Sequence, residues 1–238
     1  MIGRGKTRLI ALENEKIKAN FIPGAGVLHD LVLKETNTDV LVRGEYPYGF
    51  VLYGWGGWGE VSRNSEGKRA VLTFASKSPD GNTVTMKASL ESGDDFVRME
   101  YDFGDVLAVR QSYYLMSRIS LDGSNDVMII PKKGGEQLRP WRQVAFLAIK
   151  ADELAVNSLM VHDRETKVFF AVGFHAPGFS NLQVSSGANG FNYMLFHPVP
   201  NVAPGKAVFL LGAGKGDITQ ARALGERLAR LAQASAGK

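Results

Sequence analysis

With 238 residues, 45% of them hydrophobic and 22% charged, the chain has enough apolar surface for a substantial core, which excludes intrinsic disorder and fits one all-β unit over residues 1–238. The 28 Lys and Arg against 24 Asp and Glu leave a net charge of +4. That charge is thinly spread, without the basic stripe and exposed aromatics that a nucleic-acid partner requires, and the absence of cysteine excludes disulfides, thiolate nucleophiles and cysteine-based metal sites.

No apolar run approaches the roughly 18 residues of a membrane span, and Met1 to Lys6 leads into a strand-like segment instead of a signal-peptide core. No membrane partner and a cytoplasmic location are therefore expected. Ile17, Ala19 and Phe21 open a period-two pattern that marks half-buried strands. It returns at Val84 to Leu90, Val97 to Phe103, Val109 to Leu115, Phe191 to Leu195, and Val208 with Leu210. Turn chemistry lies between the runs, at Asp80-Gly81-Asn82, Ser92-Gly93-Asp94, Gly104-Asp105, Asp122-Gly123-Ser124 and Asp163-Arg164-Glu165. Connections this short make neighbouring strands antiparallel. The expected architecture is all-β, with two or more packed sheets or a barrel-like sandwich. At the end, Asp217 and Gln220 form a capping-box-like start, and Ile218, Ala221, Leu224, Leu228 and Leu231 fall at helical spacing. One amphipathic helix is predicted over 217–234, its apolar stripe packed on the sandwich or docking a partner.

Two glycine clusters resemble phosphate-binding motifs without meeting their requirements. Gly24-Ala25-Gly26 lacks the third glycine of a dinucleotide fingerprint and runs into another strand. Gly212-Ala213-Gly214-Lys215-Gly216-Asp217 joins a strand to a helix, yet an anionic Asp217 stands where a phosphate loop needs Ser or Thr. The second cluster reads as a flexible exit from the last strand. No cofactor is expected.

The most unusual stretch is Tyr53-Gly54-Trp55-Gly56-Gly57-Trp58-Gly59-Glu60, followed by Arg63 and Asn64. Indoles beside a carboxylate and a guanidinium suit stacking on a sugar ring and bonding its hydroxyls; the alternative is a loop whose tryptophans plug the end of the sandwich. Of the four histidines, His29 sits in an alternating run and reads as structural, and His162 lies at a hairpin beside Asp163, where exposure is expected. His175 and His197 each end a strand just before proline, positions that face a rim or cleft. The spacing offers no metal-binding pattern. Glu60 is the one carboxylate in apolar context, since Glu100 alternates toward solvent, so a two-carboxylate glycosidase is unsupported. A serine-hydrolase elbow is absent.

Two stretches together resemble a known family. Ile22-Pro23-Gly24-Ala25-Gly26-Val27-Leu28-His29-Asp30-Leu31-Val32-Leu33, running into Thr36 to Leu41, is similar to the opening hairpin of the galactose mutarotase-like family, the aldose 1-epimerases and their relatives. The Val161 to Phe174 hairpin, Asn181 to Ser186, Tyr193 to Pro198 and Ala203 to Ala207 resemble that family's closing strands. The resemblance implies an antiparallel β-supersandwich that binds a small-molecule sugar or glycan on the concave face of its larger sheet. It also places His197 where the family carries its glutamate base, and Ile130-Pro131-Lys132-Lys133 where it carries a His-Pro-Tyr-Phe-like segment.

Both of those catalytic positions are replaced. Mutarotation needs a base on the anomeric hydroxyl and an acid on the ring oxygen. Here His197 would be the base, paired with a lysine, an arginine or a second histidine, His175 being the candidate. Trp58 would stack on the sugar, and Glu60 and Arg63 would bind hydroxyls or an acidic group. The competing readings are a non-catalytic glycan-binding or accessory module that docks a partner through the terminal helix, and a structural protein in which these residues only pack. The sequence leaves the sugar and the oligomeric state open.

Overall fold

The alternating runs become strands of two large antiparallel sheets in the computed structural model, which describes residues 9–41, 49–52, 57–77, 81–104, 106, 113–117, 126–140, 147–176, 179–186, 192–198 and 205–236. In chain order the strands are β1 (Ile10–Glu13), β2 (Ile17–Ile22), β3 (Val27–Leu33), β4 (Thr38–Asp39), β5 (Phe50–Leu52), β6 (Gly59–Glu66), β7 (Arg69–Lys77), β8 (Thr83–Glu91) and β9 (Phe96–Asp102). There follow β10 (Tyr113–Ser117), β11 (Asp126–Ile130), β12 (Gln137–Pro140), β13 (Leu147–Lys150), β14 (Ser158–Asp163), β15 (Val168–His175), β16 (Phe179–Ser186), β17 (Asn192–Pro198) and β18 (Lys206–Lys215), before the helix α1 (Ile218–Ala236). Sheet A runs β1-β2-β3-β5-β10-β17-β16-β13, with β4 beside β3; sheet B runs β12-β11-β14-β15-β18-β9-β8-β7-β6.

Period-two side chains from both sheets fill the space between them. Ile17, Ala19 and Phe21 of β2 meet Leu72, Phe74, Met86, Val97 and Met99 of sheet B in one core. At its centre an aromatic cluster joins Phe50, Tyr101, Phe174, Phe196 and Phe209, with ring centres 4.9 to 6.3 Å apart. The predicted turns at Ser92-Gly93-Asp94 and Asp163-Arg164-Glu165 join β8 to β9 and β14 to β15; Gly93 has φ +89°, a conformation that favours glycine. Residues 80, 105, 107–112, 122–124 and 191, on which other expected turns and strand positions fall, lie outside the described residues.

Strands β14, β15 and β18 are buried on both faces, because α1 covers the outer face of sheet B over these strands. Ala221, Leu224, Leu228 and Ala232 pack there on Phe96, Met160, Phe169, Ala171, Val208 and Leu210. The apolar stripe of the helix is thus used within the chain, and only its polar face remains for a partner. A fully buried leucine such as Leu228 contributes about 1.5–3 kcal/mol.

The helix starts where the capping pattern predicts. Asp217 Oδ1 accepts from the Thr219 and Gln220 amides at 2.8 and 3.0 Å, and Gln220 Oε1 accepts from the Asp217 amide at 2.9 Å. Asp217→Ala is expected to cost about 1 kcal/mol, read as a lower urea midpoint at unchanged slope. The preceding glycines are packing positions, not a flexible exit. A Cβ on Gly212 would fall 3.0 Å from the Asp95 carbonyl oxygen, and one on Gly214 would fall 2.6 Å from the Phe169 ring. His162, expected at the surface, is 3% exposed. Its Nε2 donates to the Gly216 carbonyl at 2.9 Å and its ring stacks on Phe169, so it ties the β14 hairpin to the strand-helix junction.

Candidate functional site

Trp58 does not offer a stacking platform. Its indole is 4% exposed, lies edge-on to Tyr101 with ring centres 6.3 Å apart, and covers Gly26, where a Cβ would sit 2.6 Å from the ring. Gly26 closes the 3₁₀ turn Pro23–Ala25 with φ +57°, a backbone state that glycine adopts without strain. The ring faces are spent on packing, as in the plugged-end alternative. Glu60 and Arg63 lie on β6, the edge strand of sheet B, where Glu60 pairs with Phe74 and Arg63 with Leu72. Arg63 is exposed, and the side chain of Glu60 lies outside what the structure describes.

The two histidines ranked first end strands of different sheets. His175 follows Phe174 in β15, and His197 follows Phe196 in β17. The two phenylalanine rings meet across the core at 5.1 Å. Successive side chains on a strand point to opposite faces, so the histidines point away from each other, His175 onto the outer face of sheet B and His197 onto the outer face of sheet A. His175 cannot serve as the acid partner of His197, and Trp58, Arg63, His175 and His197 do not line one cleft.

Around His197 the outer face of sheet A is polar. Asn181 and Gln183 alternate with the core residues Leu182 and Val184 on β16. Asn181 pairs with His197 on one side and with Lys150 of β13 on the other. Lys150 follows the buried Ile149 and is exposed. A histidine, an amide and an ammonium thus stand in one cross-strand row, with about 10 Å between the outer two Cα atoms. His197 Nε2 lies 3.2 Å from Gln183 Oε1. An amide oxygen only accepts, so Nε2 carries the proton and Nδ1 carries the lone pair.

Burial lowers the pKa of both His197 and His175 below the ordinary imidazole value by disfavouring the charged ring. The neutral, basic form of His197 therefore dominates at pH 7. The unfolded chain takes up protons first as pH falls, so stability from these groups is intact above about pH 6.5 and declines below it. Ring-proton NMR is expected to show both histidines titrating below a free imidazole.

A second polar group on the same outer face escaped the sequence reading. Asp30 is 3% exposed; Oδ1 lies 2.7 Å from His29 Nδ1, and Oδ2 accepts from Asn20 Nδ2 at 3.0 Å. The row Leu28-Phe50-Leu115-Met194 puts Asp30 two residues to one side and His197 three to the other, three strands away. Strand spacing makes that roughly 20 Å, so they form separate sites. Asn181, Gln183 and Lys150 were missed too, although the alternation of Asn181 and Gln183 with Leu182 and Val184 is a readable signal.

By sequence, the chain matches no family model and no curated protein. In three dimensions it is similar to the GalNAc complex of the α-N-acetylgalactosaminidase NagBb from Bifidobacterium bifidum, with a TM-score of 0.66 at 10% identity over 96% of this chain and 39% of that one. It is similar to the Slr1438 protein from Synechocystis, with a TM-score of 0.63 at 11% identity over 91% and 100% of the two chains. A galactose mutarotase-like protein from Lactobacillus casei gives 0.59 at 10% identity over 87% and 100%. Likeness at such identities is a statement of architecture. The chain has the galactose mutarotase-like fold, an antiparallel β-supersandwich with a single helix at its C-terminal end among the described residues.

Proposed function

We propose that this chain binds a carbohydrate on the outer face of sheet A beside His197, and that His197 and Lys150 act on it as base and acid of a divergent aldose 1-epimerase. The observation that carries the reading is the row His197-Asn181-Lys150, with Gln183 fixing the His197 tautomer. His197 Nδ1 would take the proton of the anomeric hydroxyl while the Lys150 ammonium protonates the ring oxygen. The ring opens, the new carbonyl rotates, and reclosure with reversed proton transfers gives the other anomer. Asn181 and Gln183 supply amide donors and acceptors for sugar hydroxyls. The shared fold supports a sugar ligand, since its relatives include proteins named for galactose mutarotase and for α-N-acetylgalactosamine cleavage.

A binding module without catalysis is the second reading. It is favoured by His175 lying on the opposite face, which removes the acid partner that the strand-end histidines offered.

Proton NMR with a panel of aldoses, hexuronic acids and sugar phosphates separates the two. An epimerase accelerates anomer exchange; His197→Ala abolishes the acceleration, and Lys150→Ala reduces it by about 10² or more. Saturation transfer without exchange establishes binding alone, and an inert panel refutes both.

A further inference from the structure

The outer face of sheet B is only half covered by α1. Beyond the last turns of the helix, β7, β8, β9 and β18 line a groove of about 490 Å³ with Leu231, Ala234 and Ser235 as its helical wall. Its charged lining comprises Arg69, Lys87, Arg98 and Lys206 against Glu100 and Asp102. The register sets these in opposed pairs, with Lys87 across from Glu100, and Lys206 and Thr85 on either side of Asp102. Arg98 Nη1 donates to Glu100 Oε1 at 3.0 Å, and Arg69 is drawn to Glu91, outside the groove, at 3.4 Å. Lys87 and Lys206 stay exposed and make no ion pair among the described residues.

We propose that this groove is a second ligand site, and that it takes a hydroxylated acid of the hexuronate type. Two ammonium groups are placed for a carboxylate. Glu100, through Oε2, and Asp102, through Oδ2, accept hydrogen bonds from hydroxyls, while Arg98 and the Gly104 amide hold their other carboxylate oxygens. A purely anionic ligand would meet the two carboxylates as like charges, and a neutral sugar would leave the lysines unanswered; a sugar acid satisfies both sets. The floor is strand-borne and Arg98 is held by Glu100, so the polar groups are positioned before the ligand arrives. The site lies on the opposite face of the sandwich from His197 and does not rest on the epimerase reading.

Calorimetric titration at low salt with D-glucuronate, D-glucose and inorganic sulfate tests the assignment. Saturable binding of glucuronate, at least about tenfold tighter than glucose or sulfate, is the expected result. The pair Lys87→Glu with Lys206→Glu, or the milder Lys87→Gln with Lys206→Gln, should weaken it by about tenfold or more, and Glu100→Gln with Asp102→Asn should weaken glucuronate while leaving sulfate unchanged. Lys34→Gln, an exposed position outside both proposed sites, should leave the titration as it was. Absence of glucuronate binding, retention in both lysine pairs, or sulfate binding as tightly as glucuronate, an adventitious ion only, would each overturn the assignment.

Discussion

Phe209→Ala is expected to lower the unfolding free energy by about 3–5 kcal/mol, a large share of the roughly 5–15 kcal/mol that holds a typical folded domain together. Phe209 is fully buried and, among the described residues, is the one ring that touches Phe50 of sheet A, Tyr101 and Phe174 of sheet B and Phe196 of sheet A. Truncation removes its transfer free energy and opens a cavity at the point where both sheets depend on the same side chain. Strands on each side are paired by backbone hydrogen bonds and cannot collapse into the space, which places the cost at the upper end. Urea unfolding gives the difference directly. Phe209→Leu should recover most of the loss, and a cost below 1 kcal/mol for the alanine variant would mean that the aromatic centre is not the joint of the two sheets.

Gly173→Val is expected to cost about 3 kcal/mol or more by lifting α1 off sheet B. A Cβ at position 173 would stand 2.4 Å from the Leu228 carbonyl carbon and 2.5 Å from the Ala229 amide nitrogen. These are backbone atoms of a hydrogen-bonded helix, so no rotamer change relieves the clash. The helix must rise, opening the layer in which Leu224, Leu228 and Ala232 meet Phe169, Ala171 and Leu210. Amide hydrogen exchange should accelerate in α1 while the protection of β2 and β3 in sheet A is retained. Gly24→Ala, where a Cβ meets nothing within 4 Å, is the matched control and should leave stability nearly unchanged. Equal exchange across the whole chain would show that α1 and the sandwich unfold as one unit.

Much of the fold could be read locally. The runs at Ile17 to Phe21, Val84 to Leu90 and Val97 to Phe103 became β2, β8 and β9, since alternation is a property of neighbouring residues. The helix came within two residues at either end, as Asp217 and Gln220 carry their capping chemistry in the sequence itself. Residues judged by type and neighbourhood fared less well. Trp58 looked like a platform because its glycine neighbours suggested an open loop, but its indole lies over Gly26. His162 looked exposed beside a turn, but the strand-helix junction 54 positions away covers it and accepts its hydrogen bond.

The sequence by itself determined the class of the protein: alternating strands, tight antiparallel turns, a capped terminal helix and no cysteine chemistry. It also determined that His175 and His197 stand at strand ends. Tertiary structure alone decided what those positions mean, because alternation orders side chains within a strand without saying which sheet the strand joins or which face of that sheet becomes core. Each histidine follows a core phenylalanine, so the pattern reads alike at both. Pairing β15 with β18 and β17 with β16 then sends one to each outer face, and it is the same long-range pairing that brings Asn181 and Lys150 into the row of His197.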